Sequence, residues 1–398
     1  MTALQIILLL LVGYILFTID KKQENFPVPV VLLLAGISLS FIPFFHSIEI
    51  DKTIIYDFFL PALLFVSAYR YSPNALREHG GIIAALSTVG LVMTAILFGF
   101  MVYVVGGEFV TISLIGSLVI ASILTPTDPV SVVSILKQSA DNPKVADVVE
   151  GESMINDGTS IVLFTVLAGM FINHESFSFF SFLSEFLLVS IGGAILGLFC
   201  GWTVSHAVHI THHREFQVML SIILAYGIFH IAEHIGVSGV LATVASGIML
   251  SWEFEHTNQE DHYREALDGF WGVVEPTILA LVFLLIGIEA TSYLSMENWK
   301  LVLLLFISSL LIRFVIIAGI IQFFPSWRKE IDWREITLIS WSGIKGTMSV
   351  ALLLSLKADV TSNGEVDLLI SISFAVVVLS LVIQSLGIYP LSRMLRKD

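Results

Sequence analysis

The chain has 398 residues, of which 56% are apolar and only 13% charged, with a formal net charge of −14. Its mean hydropathy of +0.91 excludes an ordinary soluble globular protein, since such chains average about 45–50% apolar and about 25% charged residues. No basic patch suits a nucleic acid, and the single cysteine, Cys200, excludes an intrachain disulfide.

A membrane-spanning helix needs about 20 mainly apolar residues. In chain order such segments fall at 3–19, 27–45, 54–69, 81–105, 110–136, 150–172, 181–207, 217–234, 237–251, 266–290, 299–323, 335–356 and 366–390. The first has no positive region before it and no small-residue cleavage site after it, so it reads as a membrane helix and not as a signal peptide. The pattern predicts an all-α polytopic membrane protein with about thirteen transmembrane helices. The ninth segment is short and the third and twelfth carry polar interruptions, which leaves twelve open.

Basic residues orient the spans, because cytoplasmic loops are enriched in Lys and Arg. With the N-terminus outside and the C-terminus cytoplasmic, the inner segments hold Lys21, Lys22, Arg70, Arg77, Lys137, Lys144, Arg214, Arg264, Arg328, Lys329, Arg334, Arg393, Arg396 and Lys397. The outer loops hold only Lys52, Lys300 and Lys357. One missed span would scramble this bias, which favours thirteen and a multi-pass protein of the cell (inner or plasma) membrane. Residues 1–398 then form a single membrane transporter domain. Thirteen divides into a first repeat over 1–173, a linking helix over 181–207 and a second repeat over 217–398. Two six-helix units joined by one odd span have opposite orientations, as in inverted-repeat transporters.

The fifth and twelfth spans occupy matching places in the two units, and both are interrupted. The fifth carries Thr125-Pro126-Thr127-Asp128-Pro129 and the twelfth Gly343-Ile344-Lys345-Gly346-Thr347. Such matched interruptions point to a midplane substrate site; the alternative for the first is a proline kink with Asp128 capping a half-helix. Proline lacks an N–H donor and leaves carbonyls unsatisfied in the helix, which is tolerated at membrane depth only against protein or a water-filled cavity. Carbonyls, hydroxyls and carboxylates are hard oxygen donors suited to small hard cations.

On the sixth span Ser153, Asn156, Asp157 and Ser160 share one helix face by their i, i+3, i+4, i+7 spacing, with Glu152 beside them. A central Asp costs about 2.5–3.5 kcal/mol on insertion, so such residues usually line ion or proton pathways. Asp157 is the expected carrier, where a proton and a metal ion compete for the same oxygens. Arg313 and Lys345 also fall inside spans and need partners. Glu152 is the natural partner of Arg313, and pairing would keep it out of the transport cycle. Glu233, Glu275, Glu289 and Asp57, near span ends or prolines, read as structural or funnel-lining. His206, His209, His212 and His213 read as a solvated inner loop, with pH sensing as the alternative. Gly193, Gly197 and Gly201 form a close-packing face within a protomer or between two.

At these residues the chain resembles the monovalent cation:proton antiporter family, which includes NhaP-like and NHE-like sodium/proton exchangers. The resemblance runs over nearly the full length. It rests on Thr127-Asp128-Pro129-Val130, Gly151-Glu152-Ser153 with Asn156-Asp157-Gly158, Gly239-Val240-Leu241-Ala242, Phe283-Leu284-Leu285-Ile286-Gly287, Arg313, and Trp341-Ser342-Gly343-Ile344-Lys345-Gly346. It implies two interrupted helices that cross at the midplane, a homodimer formed away from the transport core, and no cofactor. It also implies that Asp157 binds ion and proton, with Asn156, Thr127, Asp128, Ser153 and Glu152 around it and Arg313 paired to Glu152. Asp157, Thr127 and Ser153 are the expected ligands of the transported cation. The Asn156-Asp157 pair resembles the electroneutral branch of the family.

Two departures accompany the resemblance. The family usually has arginine where Lys345 stands and often a glutamate where Val66 stands, so Lys345 needs another partner, Asp128 or a backbone carbonyl. The last span ends close to Asp398, so a long regulatory tail or nucleotide-sensing domain is not expected. The function expected is secondary sodium (or lithium)/proton antiport by alternating access, not an enzyme. Potassium/proton antiport is the alternative, and an intramembrane aspartyl hydrolase using Asp128 and Asp157 is the reading from another class.

Overall fold

In the computed structural model the described residues are 1–23, 27–46, 48, 52–109, 112–130, 132–139, 143–173, 179–208, 213–256, 261–294, 298–359 and 364–395. Among them the secondary structure is entirely helical. His209, His212, Arg396 and Lys397 lie outside them, as do the side chains of Lys21 and Lys22.

The first helices are α1 (Ala3–Gln23), α2 (Val28–Ser40), the single turn α3 (Pro43–His46), α4 (Leu60–Arg70) and α5 (Pro73–Ala85). A wide π-type turn over Ile54–Phe59 leads into α4, and a second over Leu86–Gly90 joins α5 to α6 (Leu91–Gly106). Next come α7 (Leu114–Leu124), α8 (Val133–Ser139), α9 (Pro143–Asn173), α10 (Phe179–Val208), α11 (Arg214–His234), α12 (Gly239–His256) and α13 (Asp261–Tyr293). The chain closes with α14 (Trp299–Phe323), the short α15 (Pro325–Glu330), α16 (Trp333–Trp341), α17 (Thr347–Asp359) and α18 (Gly364–Met394). Every predicted span coincides with a helix or a pair of half-helices. Among the described residues, seven helical stretches are individually long and apolar enough to cross a membrane. The half-helices of the interrupted spans fall short of that length because the breaks divide them.

Packing sorts the helices into two groups. Helices α1, α2, α4, α10, α11, α12 and α13 pack chiefly on one another, and α5 to α9 with α14 to α18 form the second group. Glycine lets the backbones of the first group touch. Gly36 on α2 faces Gly287 on α13, and a Cβ on Gly287 would stand 2.9 Å from Gly36 Cα. Gly193, Gly197 and Gly201 lie against Ser238, Ala242 and Ser246 of the α11–α12 turn and α12. The small-residue stripe is therefore an intramolecular packing face, which resolves the choice left by the sequence. Large apolar side chains on the outer faces of α1, α6, α10 and α14, among them Tyr14, Phe100, Phe199 and Val315, are exposed. That distribution fits lipid as the surrounding solvent.

Candidate functional site

The chain leaves the helix over 126–129, after α7, and over 343–346, between α16 and α17; the two breaks meet. Pro126 and Pro129 have no N–H to give, and the N–H groups of Thr127, Asp128 and Val130 in the first break are all used. Asp128 N–H donates to the Ile344 carbonyl at 2.7 Å across the two segments. The Asp128 carboxylate accepts from its own loop at Val130 N–H (3.0 Å) and from Thr347 N–H (3.2 Å) and Thr347 Oγ1 (3.3 Å) at the first turn of α17. Asp128 thus caps the half-helix of the opposite break, where the partial positive charge of the helix N-terminus favours an anion. Gly346 permits this approach, since a Cβ there would collide with the Asp128 carboxylate.

Helix α9 passes beside the crossing and satisfies its other face. Ser153 Oγ donates to the Thr127 carbonyl. Asn156 Nδ2 donates to Thr127 Oγ1 (2.8 Å) and to Glu152 Oε1 (3.0 Å), and Thr127 N–H reaches Asn156 Oδ1 at 3.4 Å. From α14, Arg313 grips Glu152 with both terminal nitrogens, Nη1 to Oε1 at 3.1 Å and Nη2 to Oε2 at 2.7 Å. Both side chains are buried, at 9% and 4% exposure, so this is the forked, charge-assisted arrangement that a low-dielectric site demands. The pairing expected from the sequence is present.

Lys345 is buried in the second break, and its ammonium donates to the Gly343 carbonyl at 3.2 Å. Of the two partners considered for it, the structure supplies the carbonyl. Its backbone N–H donates to Ser380 Oγ at 2.9 Å, and Gln384 Nε2 holds the carbonyls of Trp341 (2.6 Å) and Gly343 (3.3 Å). Ser380 and Gln384, on α18, were not found by sequence reasoning; only their polarity within an apolar helix marks them. Val66 is fully buried on α4.

Asp157 stands apart from this bonded network. It lines a cavity of about 340 Å³ with Asp128, Pro129, Met154 and Thr347 at its inner end and Leu60, Leu63, Leu64 and Leu279 along one wall. Asp157 Oδ1 is buried and accepts no hydrogen bond. At the cavity rim, Arg70 pairs with Glu275, and Lys137 Nζ lies 2.8 Å from Glu150. Glu275 is thus funnel-lining, as expected. Glu233 instead accepts from Gly239 N–H at 2.8 Å at the start of α12, and Glu289 meets Lys357. His206 packs on Trp202 and His213 on Phe216, each against its own helix.

Of the site residues expected from the sequence, Asp128 and Asp157 line this cavity, whereas Glu152 and Asn156 line a separate small pocket with Thr125 and Arg313. Glu152 and Asp128 are satisfied, and Asp157 is not. Known proteins share the fold. The structure superposes on the sodium proton antiporter MjNhaP1 of Methanocaldococcus jannaschii with a TM-score of 0.80 at 18% identity, covering 99% of this chain and 98% of that one. At that identity the likeness concerns the fold. In sequence, the chain is 29% identical to the Na(+)/H(+) antiporter NhaH of Halobacillus dabanensis, over 98% of this chain and 97% of that protein. It is 31% identical to the Na(+)/H(+) antiporter NhaG of Bacillus atrophaeus, over 94% of this chain and 71% of that protein. The family model described as "Sodium/hydrogen exchanger, transmembrane" matches residues 6–394, and the chain belongs to that family of membrane transporters.

Proposed function

We propose that the protein is a secondary antiporter that exchanges sodium, or lithium, for protons, with proton and cation competing for Asp157. The observation that carries this reading is the unpartnered, buried Asp157 Oδ1 at the end of an open cavity. A desolvated carboxylate without donors is costly, and either a proton or a bound cation relieves that cost. Mutually exclusive occupancy by itself couples the two fluxes. Thr127 and Ser153, on the facing break and the same helix face, complete the proposed cation site with Asp157. Asn156, Asp128 and Glu152 shape it, and Arg313 and Lys345 balance its charge.

A neutral Asn156 and a Glu152 held by Arg313 leave one exchangeable charge, which supports one-for-one, electroneutral exchange. The reading extends to an N-terminus outside and a C-terminus in the cytoplasm, so that the cavity opens inward beside Lys137. It extends also to a homodimer, and to inverted repeats over 1–173 and 217–398 joined by the helix at 181–207.

Purified protein in liposomes, given a pH gradient and then sodium, lithium or potassium, tests the proposal. Sodium- or lithium-driven proton movement that vanishes in Asp157→Ala is expected, with its rate unaffected by clamping the membrane potential. A response to potassium alone would favour the potassium/proton reading, and full activity of Asp157→Ala would overturn the assignment of the carrier.

A further inference from the structure

The cavity beside Asp157 separates the two helix groups on one side of the molecule. At the other end of α13 the same groups are joined. Glu275 and Glu289 lie fourteen positions apart on this helix, roughly 21 Å at 1.5 Å per residue. Their partners differ in kind. Glu275 pairs with Arg70 of α4, within its own group, and at the facing rim Lys137 pairs with Glu150, both in the other group. Neither of these two pairs spans the cavity, so neither ties its walls together. Glu289 pairs across the groups: Lys357 Nζ, on the last turns of α17, lies 3.3 Å from Glu289 Oε1. Tyr293, one turn further along α13, donates its hydroxyl to the same Glu289 oxygen at 3.3 Å. Lys357 Nζ stands over the Tyr293 ring at 5.5 Å from the centroid, and the ring stacks on Phe374 of α18 at 5.1 Å.

We infer that Glu289, Tyr293, Lys357 and Phe374 form a latch that holds the side opposite the cavity shut. It is engaged while the cavity is open and parts when access to Asp157 passes to the other side. The inference rests on the alternating-access reading of the protein. The chemistry suits a reversible closure. Glu289 is 7% exposed but Lys357 is 50% exposed, so the ammonium can return to water at little cost while the carboxylate is uncovered in place. A fully buried ion pair resists such separation far more strongly. The ring stack excludes water beneath the pair when closed.

Breaking the latch lowers the share of molecules with the cavity open, and any probe that needs that state slows in proportion. The experiment uses the full-length protein with Cys200→Ser and Val133→Cys, which puts one thiol in the cavity wall. Modification by a membrane-impermeant maleimide is timed in detergent. In this background Glu289→Gln, Lys357→Met and Tyr293→Leu are each expected to slow labelling about twofold to fivefold, the upper effect of a partly exposed ion pair. Lys357→Arg, which keeps the pair, and the exchange Glu289→Lys with Lys357→Glu are expected to label near the parent rate. Unchanged labelling in all three single variants overturns the latch. Slow labelling that the charge exchange does not restore also overturns it, because it marks local damage and not a lost pair. Labelling needs no ion gradient, so this outcome is independent of whether sodium is the exchanged ion.

Discussion

Asn156 and Asp157 are neighbours in the chain and face opposite surroundings. Asn156 bridges Thr127 and Glu152 with its amide hydrogens, while Asp157 lines the cavity and keeps a buried oxygen, Oδ1, without a hydrogen bond. One helix turn thus holds a residue fixed by its partners next to one defined by having none. The division separates what builds the site from what the site works on, and it has direct experimental consequences.

Asp157→Asn should abolish exchange without unfolding the protein. The side chain it replaces makes no hydrogen bond through Oδ1, and a neutral amide of the same shape removes the cost of a desolvated charge. Liposome exchange should fall at least a hundredfold while the thermal midpoint stays level or rises. A fall in the midpoint of several degrees would assign Asp157 a structural role.

Asn156→Asp should act in the opposite manner. It removes the amide donor to Glu152 Oε1 and Thr127 Oγ1 and sets a second carboxylate against Glu152. A buried group left unsatisfied costs about 1–3 kcal/mol, more when charged, so a lower denaturation midpoint is expected. A midpoint equal to that of the parent would mean that the bridge contributes nothing.

The forked pair of Arg313 and Glu152 predicts strong non-additivity. Losing one partner strands a buried charge, at about 3–5 kcal/mol, whereas losing both does not. Arg313→Gln with Glu152→Gln should therefore be milder than either change alone. A double-mutant cycle on thermal stability measures this, and simple additivity would refute the coupling.

Two glycine substitutions give a matched contrast. A Cβ on Gly197 would stand 2.9 Å from Ala242 Cα and press on its carbonyl, whereas a Cβ on Gly169 meets nothing within 4 Å. Gly197→Ala should lower the melting temperature by forcing α10 from α12. Gly169→Ala, in the interior of α9, should raise stability by about 0.5–1 kcal/mol through helix propensity.

Much of this architecture is legible in the sequence because a bilayer leaves little freedom: apolar length sets the spans, and only special residues break them. The two breaks, the Glu152–Arg313 pair and the isolation of Asp157 all follow from unusual residues in apolar runs. Capping of a half-helix by Asp128 was open in the sequence, but which half-helix it caps was not legible. Its acceptors are filled by backbone donors of Thr347 and Val130, and backbone donors carry no signature in side-chain identity. The supports at Ser380 and Gln384 were hidden for the same reason, as was the choice of the Gly343 carbonyl by Lys345. Pairings such as Lys357 with Glu289 depend on how helices distant in sequence are brought together, which no local pattern encodes.

The bond between Thr347 N–H and Asp128 closes a sequence separation of 219 residues. At roughly 5–20 residues per second of synthesis, the two ends are born about 10–40 s apart. Until α17 enters the membrane, Asp128 and its proline-flanked neighbours wait without the helix end they cap. In a nascent chain stalled before residue 347, the Asp128 carboxylate keeps only its local Val130 donor. Such a chain is expected to be a target for chaperone capture or removal well before any question of transport arises.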